Sequence, residues 1–365
     1  MWIWQHADWT HFTFDNEAII PLLTETRFVQ GTLYGQSQML PDNNTSALDS
    51  ILANIIYSSD IEGEKLNAFS VRSSLATRLG IIEEKSYPTD EKSEGFVRAA
   101  LDAINNLDEP LTHERLFQWH HLLFTEGHSI LHPIISGQYR TSPVQVISGK
   151  RIDKPIVHFE APPPELVESE MTLFLAWFNQ SQTDYTPDLI IRAAIAHLWF
   201  LTIHPFEDGN GRIGRLIMDL ALAQAEKRTV RLYAMSKTIN EQRQQYYDVL
   251  EKTQKGDSDI TQWLFWFLNT LQLSMQEAIN EVDNTVRTTK YWQAHDQSLL
   301  SLEQSKVINR MLKGDFADGI NNSQYKSVAK VSRASATRHL AFLVEHKFLV
   351  DSGAGGRSIR YLLKD

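Results

Sequence analysis

The 365-residue chain contains no cysteine. That excludes disulfides, thiolate metal sites and a cysteine nucleophile together. No apolar run approaches the roughly 18 residues of a membrane-spanning helix, so no membrane partner is expected. The opening Met1-Trp2-Ile3-Trp4-Gln5-His6 has neither the basic start nor the apolar stretch of a secretory signal. A cytoplasmic location is the expectation. A Gly-Lys-Ser/Thr phosphate loop is missing. So is the His-Glu-x-x-His zinc signature; His113, His120, His121, His128 and His132 cluster in sequence but read as surface or structural residues. No repeat or low-complexity tract stands out.

What is present has ordinary globular proportions, 42% hydrophobic and 22% charged. The length suits two or three domains. Charge is uneven. The chain carries 35 Lys and Arg against 45 Asp and Glu, a net −10. From Leu300 to Asp365 there are 11 basic and 6 acidic residues, a net +5, which leaves −15 for the rest. That asymmetry hints at an anionic partner for the tail alone.

Three regions emerge, at about 1–107, 108–275 and 300–365. The first opens with Trp2, Trp4, Trp9, Phe12 and Phe14. The spacing of two in this set permits short strands, although aromatics mostly serve packing. Leu48, Ile51, Leu52, Ile55 and Ile56 then recur with helical period. Ser46 with Asp49 resembles a capping box at the start, and Gly63 suits the left-handed position after the end. In the second region one helix starts near Leu111–Leu116, and Pro162-Pro163-Pro164 introduces another. Val144-Gln145-Val146-Ile147 and Ile156-Val157-His158-Phe159 read as two short strands around Ser148-Gly149-Lys150. Ile191, Ala194, Ile195 and Leu198 mark a further helix. The third region reads as three helical stretches, the second near Gln324–Val331 and the third capped by Ser332 and reaching His346. Leu349-Val350, a Gly353-Ala354-Gly355-Gly356 turn and Ile359–Leu362 then form a hairpin.

The segment that carries chemistry is His204-Pro205-Phe206-Glu207-Asp208-Gly209-Asn210-Gly211-Arg212-Ile213-Gly214-Arg215. A glycine-flanked turn feeding directly into a helix presents unpaired N–H groups and a positive dipole end, an anion site. Arg212 and Arg215 are three apart and share a face near that end. Two guanidiniums there suit a polyphosphate. Asp208 could hold Mg²⁺ together with phosphate oxygens. His204 is the nearby group able to accept a proton near neutral pH. Gly209-x-Gly211-x-x-Gly214 also fits the dinucleotide fingerprint, but that fingerprint follows a strand, and the residues before it have helical period.

His204–Arg215 resembles the signature of the Fic (AMP-transferring) family, His-Pro-Phe-x-Asp/Glu-Gly-Asn-Gly-Arg-x-x-Arg, at every defined position. The resemblance implies a mainly α fold. It comprises a Fic helical core with a β-hairpin flap, an N-terminal helical region and a C-terminal winged-helix-like domain. It implies ATP as substrate and Mg²⁺ as cofactor, with AMP passing to a Ser, Thr or Tyr hydroxyl of a protein target. In that reading His204 is the general base and Asp208 the metal ligand. The Gly209-Asn210-Gly211 backbone and the Asn210 side chain cradle the α- and β-phosphates. Gly214 belongs to the same ATP-binding turn, Arg212 meets the β- and γ-phosphates, and Arg215 the γ-phosphate. Val144, Gln145, Val146 and Ile147 are the flap, which aligns a target chain by strand addition. Tyr246, Tyr247 and Gln254 look like nucleotide contacts, with plain packing an equal alternative. Ser58-x-x-x-Glu62-Gly63 resembles the family's inhibitory motif. Glu62 would occupy Arg215 or, alternatively, position a water for AMP removal. The tail offers Arg333, Ser335, Thr337, Arg338 and His339, with Arg357 and Arg360 on the wing, for DNA or for protein docking. A homodimer is left open. The rival reading is a DNA-binding regulator whose nucleotide pocket only senses ligand.

Overall fold

The computed structural model describes residues 1–40, 43–82, 87–124, 134–148, 156–183, 185–229, 231–353 and 359–364. Expectations at His128, His132, Gly149-Lys150, Ala354-Gly355-Gly356 and Arg357 lie outside the described residues. The rest is mainly helical, as the resemblance implies.

The chain divides into two compact units, residues 1–33 with 42–277, and residues 34–41 with 278–365. In the first, α1 (Asn16–Ser37), α2 (Asn43–Ile61), α3 (Ala68–Leu79), α4 (Glu91–Asn105) and α5 (His113–Leu123) precede a hairpin. The hairpin is β1 (Gln145–Ser148) and β2 (Ile156–Glu160). Then follow α6 (Pro164–Gln180), α7 (Leu189–Ile203), α8 (Asn210–Glu226), α9 (Met235–Glu241), α10 (Arg243–Gln254) and α11 (Thr261–Ala294), whose end enters the second unit.

The core forms around α7. Every residue from Ile190 to Ile203 is buried, so this helix is apolar on all sides rather than amphipathic. Helix α8 packs most closely against it. Gly214 permits that approach, because a Cβ there would sit 3.0 Å from Leu201 Cδ2 and 3.4 Å from His197. His197 ties the layer together. Its Nδ1 lies 2.9 Å from the Gly214 carbonyl and its Nε2 3.1 Å from the Tyr246 hydroxyl.

The expected helix over 48–56 is α2, but it begins three residues before Ser46. Ser46 is therefore an internal first-turn residue and no cap; N–H groups in a first turn have no intrahelical partner in any case. The expected helix starts near Leu111–Leu116 and after Pro162-Pro163-Pro164 are observed. Thr112 accepts from Arg115 N at 3.1 Å at the start of α5, and Pro164 is the first residue of α6. The N-terminal aromatics form no strand. Trp9 is buried edge-on to Trp199, Trp2 is edge-on to Phe159, and Trp4 Nε1 donates to the Glu160 carbonyl at 2.7 Å. They brace the outgoing strand of the hairpin.

The second unit holds α12 (Leu302–Leu312), α13 (Asn322–Ala329) and α14 (Arg333–Glu345), then an antiparallel pair, β3 (Leu349–Asp351) and β4 (Tyr361–Leu363). Ser332 caps α14 through Ser335 N at 3.1 Å. Val307, Ile308, Tyr325, Leu340, Leu343 and Phe348 fill a separate core. Among the described residues no helix is long and apolar enough to cross a membrane.

Candidate active site

His204 ends α7 in a left-handed conformation (φ 51°, ψ 58°). This turns the chain sharply into the 205–209 loop. Gly209 (φ 82°) then starts α8 without a side-chain cap. A side chain at Gly209 would meet the Phe124 ring at 2.6 Å, so the turn needs glycine for conformation and for space. The Ile213 N–H is the first to find a carbonyl four residues back, that of Gly209. The N–H groups of Asn210, Gly211 and Arg212 lie at the uncapped positive end of the helix.

The Asn210 side chain is committed elsewhere than expected. It is buried, its Oδ1 accepts from Phe206 N at 2.9 Å, and its Nδ2 donates to Phe206 O at 2.8 Å. It locks the loop from within and leaves the backbone to face an anion. Asp208 is exposed. One oxygen takes the N–H of Gly209 at 2.6 Å and the other lies 3.7 Å from Arg212 Nη2. No group of three or more metal-ligating side chains occurs among the described residues. A single exposed carboxylate beside a phosphate site fits Mg²⁺, which completes its shell with phosphate oxygens and water.

The His204 imidazole is half-buried, and its Nδ1 faces the Leu201 carbonyl at 3.3 Å. A carbonyl only accepts, so Nδ1 carries the hydrogen and Nε2 is left as the base. Burial pushes the ring down to about 4, against the opposing pull of the Leu201 carbonyl and helped by the Arg140 cation. The ring is neutral and able to accept a proton at neutral pH.

Arg140 is a residue that sequence reasoning missed. It is buried. Its guanidinium donates to the carbonyls of His204 (2.8 Å), Ser142 (3.0 Å) and Pro162 (2.5 Å), and its own N–H donates to Pro205 O at 2.9 Å. It therefore joins the His204 turn to both ends of the hairpin. Only its position shortly before the first strand could have suggested this. Arg140→Ala is expected to cost about 1–3 kcal/mol by stranding buried carbonyls. A lowered thermal unfolding midpoint would register it, and an unchanged midpoint would contradict the stapling role.

Arg215 and Arg212 are both buried and both face acids of the turn after α2. Arg215 Nε donates to Ser58 Oγ at 2.8 Å, and its Nη2 to Ser58 O at 2.8 Å and Glu62 Oε1 at 2.7 Å. Ser58 stands in the last turn of α2 and Glu62 just past its end, so the helix and its closing turn bring both to Arg215. Burial alone would lower the Arg215 pKa; the Glu62 carboxylate outweighs it and raises it. Gly63 takes the left-handed position (φ 78°) as expected. Gly63 N bonds Asp60 O at 2.9 Å and Glu64 N bonds Ser59 O at 3.0 Å, the paired closure of a Schellman turn. That turn delivers a second acid. Glu64, unremarked in the sequence reading, pairs with Arg212 and with Lys92. Its place two residues after Glu62 was the available signal. Helix α2 is itself anchored through Asn54, which donates to Asp219 at 3.3 Å and accepts from Ser236 N at 2.9 Å.

One cavity of about 590 Å³ adjoins the turn, and Arg212, Gly214 and Arg215 are not among the residues that line it. Glu62, His204, Asp208, Gly209, Asn210 and Gly211 line it, as do Val146, Ile147, Tyr246, Tyr247 and Gln254. Val144 and Gln145 do not appear in its lining. Tyr246 spends its hydroxyl on His197, Tyr247 reaches the Ile61 carbonyl at 3.3 Å, and Gln254 donates to Thr202 at 3.3 Å. Of the sequence cluster of histidines, His120 is structural: it stacks on Phe206 at 4.2 Å and accepts from Gly137 N.

Burial lowers the pKa of His120 to about 4 and of His197 to about 3. Unfolded, each ring would titrate near 6.5 and take up a proton that the folded state refuses. Their contribution to stability is full above about pH 6.5 and is lost as pH falls toward 4. The unfolding midpoint should drop steadily from pH 6.5 to 5, and less so in His197→Gln. A flat midpoint over that range would refute the assignment.

Residues 110–222 match the model of the Fic/DOC family. The chain carries a Fic/DOC domain. Residues 2–81 match a second model, a domain of unknown function (DUF4172). Over 214 residues the chain is 30% identical to the protein adenylyltransferase Fic of Aedes aegypti, which covers 57% of this chain and 38% of that relative. It is 32% identical over 140 residues to a uridine 5′-monophosphate transferase of Xanthomonas campestris, covering 36% of this chain and 25% of the relative. The chain thus spans less than half the length of these curated relatives. A crystal structure of a Fic family protein from Desulfovibrio desulfuricans shares the fold, with a TM-score of 0.56 at 19% identity over 97% of both chains. The Fic/DOC segment contains the whole of the 204–215 turn, His204 and both arginines.

Proposed function

We propose that this chain transfers AMP from ATP to a hydroxyl of a protein target, and that Glu62 holds it at rest. The observation that carries the reading is the junction of α7 and α8. There a neutral imidazole with a free Nε2 stands beside an uncapped helix start and two buried guanidiniums. Among the described residues the buried Arg215 Nη1 has no hydrogen-bond partner, a donor left for an anion such as a phosphate. The mosquito relative is itself named a protein adenylyltransferase.

The residues divide the work. The N–H groups at the start of α8 hold phosphate oxygens where charge builds up. Arg212 and Arg215, once freed of Glu64 and Glu62, neutralise the outer phosphates. Asp208 would hold Mg²⁺, which supplies charge neutralisation and orientation to the leaving pyrophosphate. His204 Nε2 accepts the proton of the incoming Ser, Thr or Tyr hydroxyl as its oxygen bonds to the α-phosphorus. Among the described residues the outer edge of β1 pairs with no strand, and the residues of β1 are exposed, which suits strand addition by the target.

The test is labelled ATP with cell lysate, with labelled UTP alongside because one relative is named a uridine 5′-monophosphate transferase. Incorporation from ATP is expected; incorporation from UTP alone would move the donor assignment. The net +5 of the tail supports a second reading, DNA binding by the C-terminal unit. A gel shift that weakens steeply with salt would support it. Arg360 already donates to the Gly319 carbonyl at 2.9 Å, so less basic surface is free than the count suggests.

A further inference from the structure

A second hydroxyl-activating arrangement faces the same cavity. The hairpin is irregular at one point: Val146 pairs with Phe159 and Ile147 with Val157. His158 is therefore the extra residue of a bulge. Bulges re-aim a side chain and gather beside functional sites. His158 Nδ1 lies 2.6 Å from Glu251 Oε2, and its Nε2 lies 2.5 Å from Ser148 Oγ. A carboxylate only accepts, so Nδ1 carries the hydrogen and Nε2 of the neutral ring accepts from Ser148. Lys255 Nζ, 2.5 Å from the other Glu251 oxygen, keeps that carboxylate ionised. This is the order nucleophile, base, orienting acid that activates a serine. The three residues come from the end of β1, the bulge of β2 and the last turn of α10. Among the described residues the exposed Ser148 hydroxyl has His158 as its side-chain partner. Ser148, His158 and Glu251 line the cavity that also holds His204, Asp208 and the start of α8.

We propose that Ser148 is an activated acceptor within this chain, which takes a nucleotidyl group from the donor bound in the shared cavity. This rests on the nucleotidyl-transfer reading above. Ser148 Oγ bonds to the α-phosphorus as the bond from that phosphorus to the pyrophosphate oxygen breaks. The Oγ proton passes to His158 Nε2, Glu251 stabilises the imidazolium, and pyrophosphate leaves. The product is a phosphodiester on the hairpin. Sharing one cavity gives this hydroxyl the advantage of proximity over a hydroxyl in free solution.

Two measurements on the full chain test it. The first uses a fluorophosphonate probe without nucleotide. Ser148 should be labelled, Ser148→Ala should not be, and His158→Gln should lower the rate at least tenfold. No label on Ser148, or equal labelling in His158→Gln, overturns the activated serine. The second incubates Glu62→Gly protein with Mg²⁺ and ATP, alone and with lysate, and maps modified peptides by mass spectrometry. AMP on Ser148 that persists in Glu62→Gly/His204→Ala and is lost in Glu62→Gly/His158→Gln is the expected result. Lysate proteins labelled while Ser148 stays bare overturn this proposal and leave the nucleotidyl-transfer reading standing. Neither labelled overturns both.

Discussion

Glu62→Gly should raise AMP incorporation into lysate protein by about tenfold to a hundredfold. The expectation follows from what Glu62 touches. Its Oε1 is 2.7 Å from Arg215 Nη2, and a methyl placed on Gly211 would collide with the same carboxylate oxygen. The acid therefore occupies two things a triphosphate needs, the guanidinium and the open backbone above the start of α8. Displacing a charge-assisted hydrogen bond of this kind costs on the order of 1.5–3 kcal/mol, and each 1.4 kcal/mol is a factor of ten. Glycine removes the carboxylate while Gly63 and the Schellman turn remain to end α2. Glu64→Gln should add a smaller increase, because Arg212 keeps its neighbour Asp208 and its contact over the Phe124 ring. Incorporation unchanged by Glu62→Gly would discard the brake. An increase from Glu64→Gln equal to that from Glu62→Gly would mean that Arg212 rather than Arg215 limits nucleotide entry.

His204→Ala in the Glu62→Gly background should lower incorporation into lysate protein by about 10²–10⁴, the usual worth of a positioned general base. The loss should fall on kcat with little change in KM, because in the proposed reaction His204 meets the attacking hydroxyl while α8 and the arginines hold the phosphates. The variant should fold. The half-buried ring makes a single 3.3 Å contact to Leu201, and the turn is held independently by Arg140 and Asn210. Labelling of lysate protein that survives the substitution would contradict the mechanism. A rise in KM with kcat preserved would make His204 a binding residue.

Much of this site is local and was legible in the chain. The 204–215 segment reads as a turn feeding a helix because its glycines and the apolar run after them admit little else. The helical period of Ile191–Leu198 identified the element before it, which removed the dinucleotide fingerprint from consideration. The Ser58-x-x-x-Glu62-Gly63 pattern drew attention to Glu62 and Arg215, and Gly63 marked the helix end. Two local readings went astray for local reasons. Ser46 looked like a cap because short polar residues are as acceptable in a first turn as at a cap. The Asn210 amide looked like a phosphate ligand because its bonds to the Phe206 backbone have no sequence signature.

Sequence by itself determined which groups are at hand: a histidine, a carboxylate, two arginines and a glycine-rich turn into a helix within twelve residues, along with the tail's opposite charge. Tertiary structure alone decided which acid meets which arginine, that Glu64 joins Glu62, that Arg140 holds the His204 turn, and that Ser148, His158 and Glu251 converge. Arg215 and Glu62 are 153 residues apart, Arg212 and Glu64 are 148 apart, and His158 and Glu251 are 93 apart. Periodicity reports which face of an element is buried. It does not report which distant element covers that face, since side-chain packing across the whole core settles that pairing.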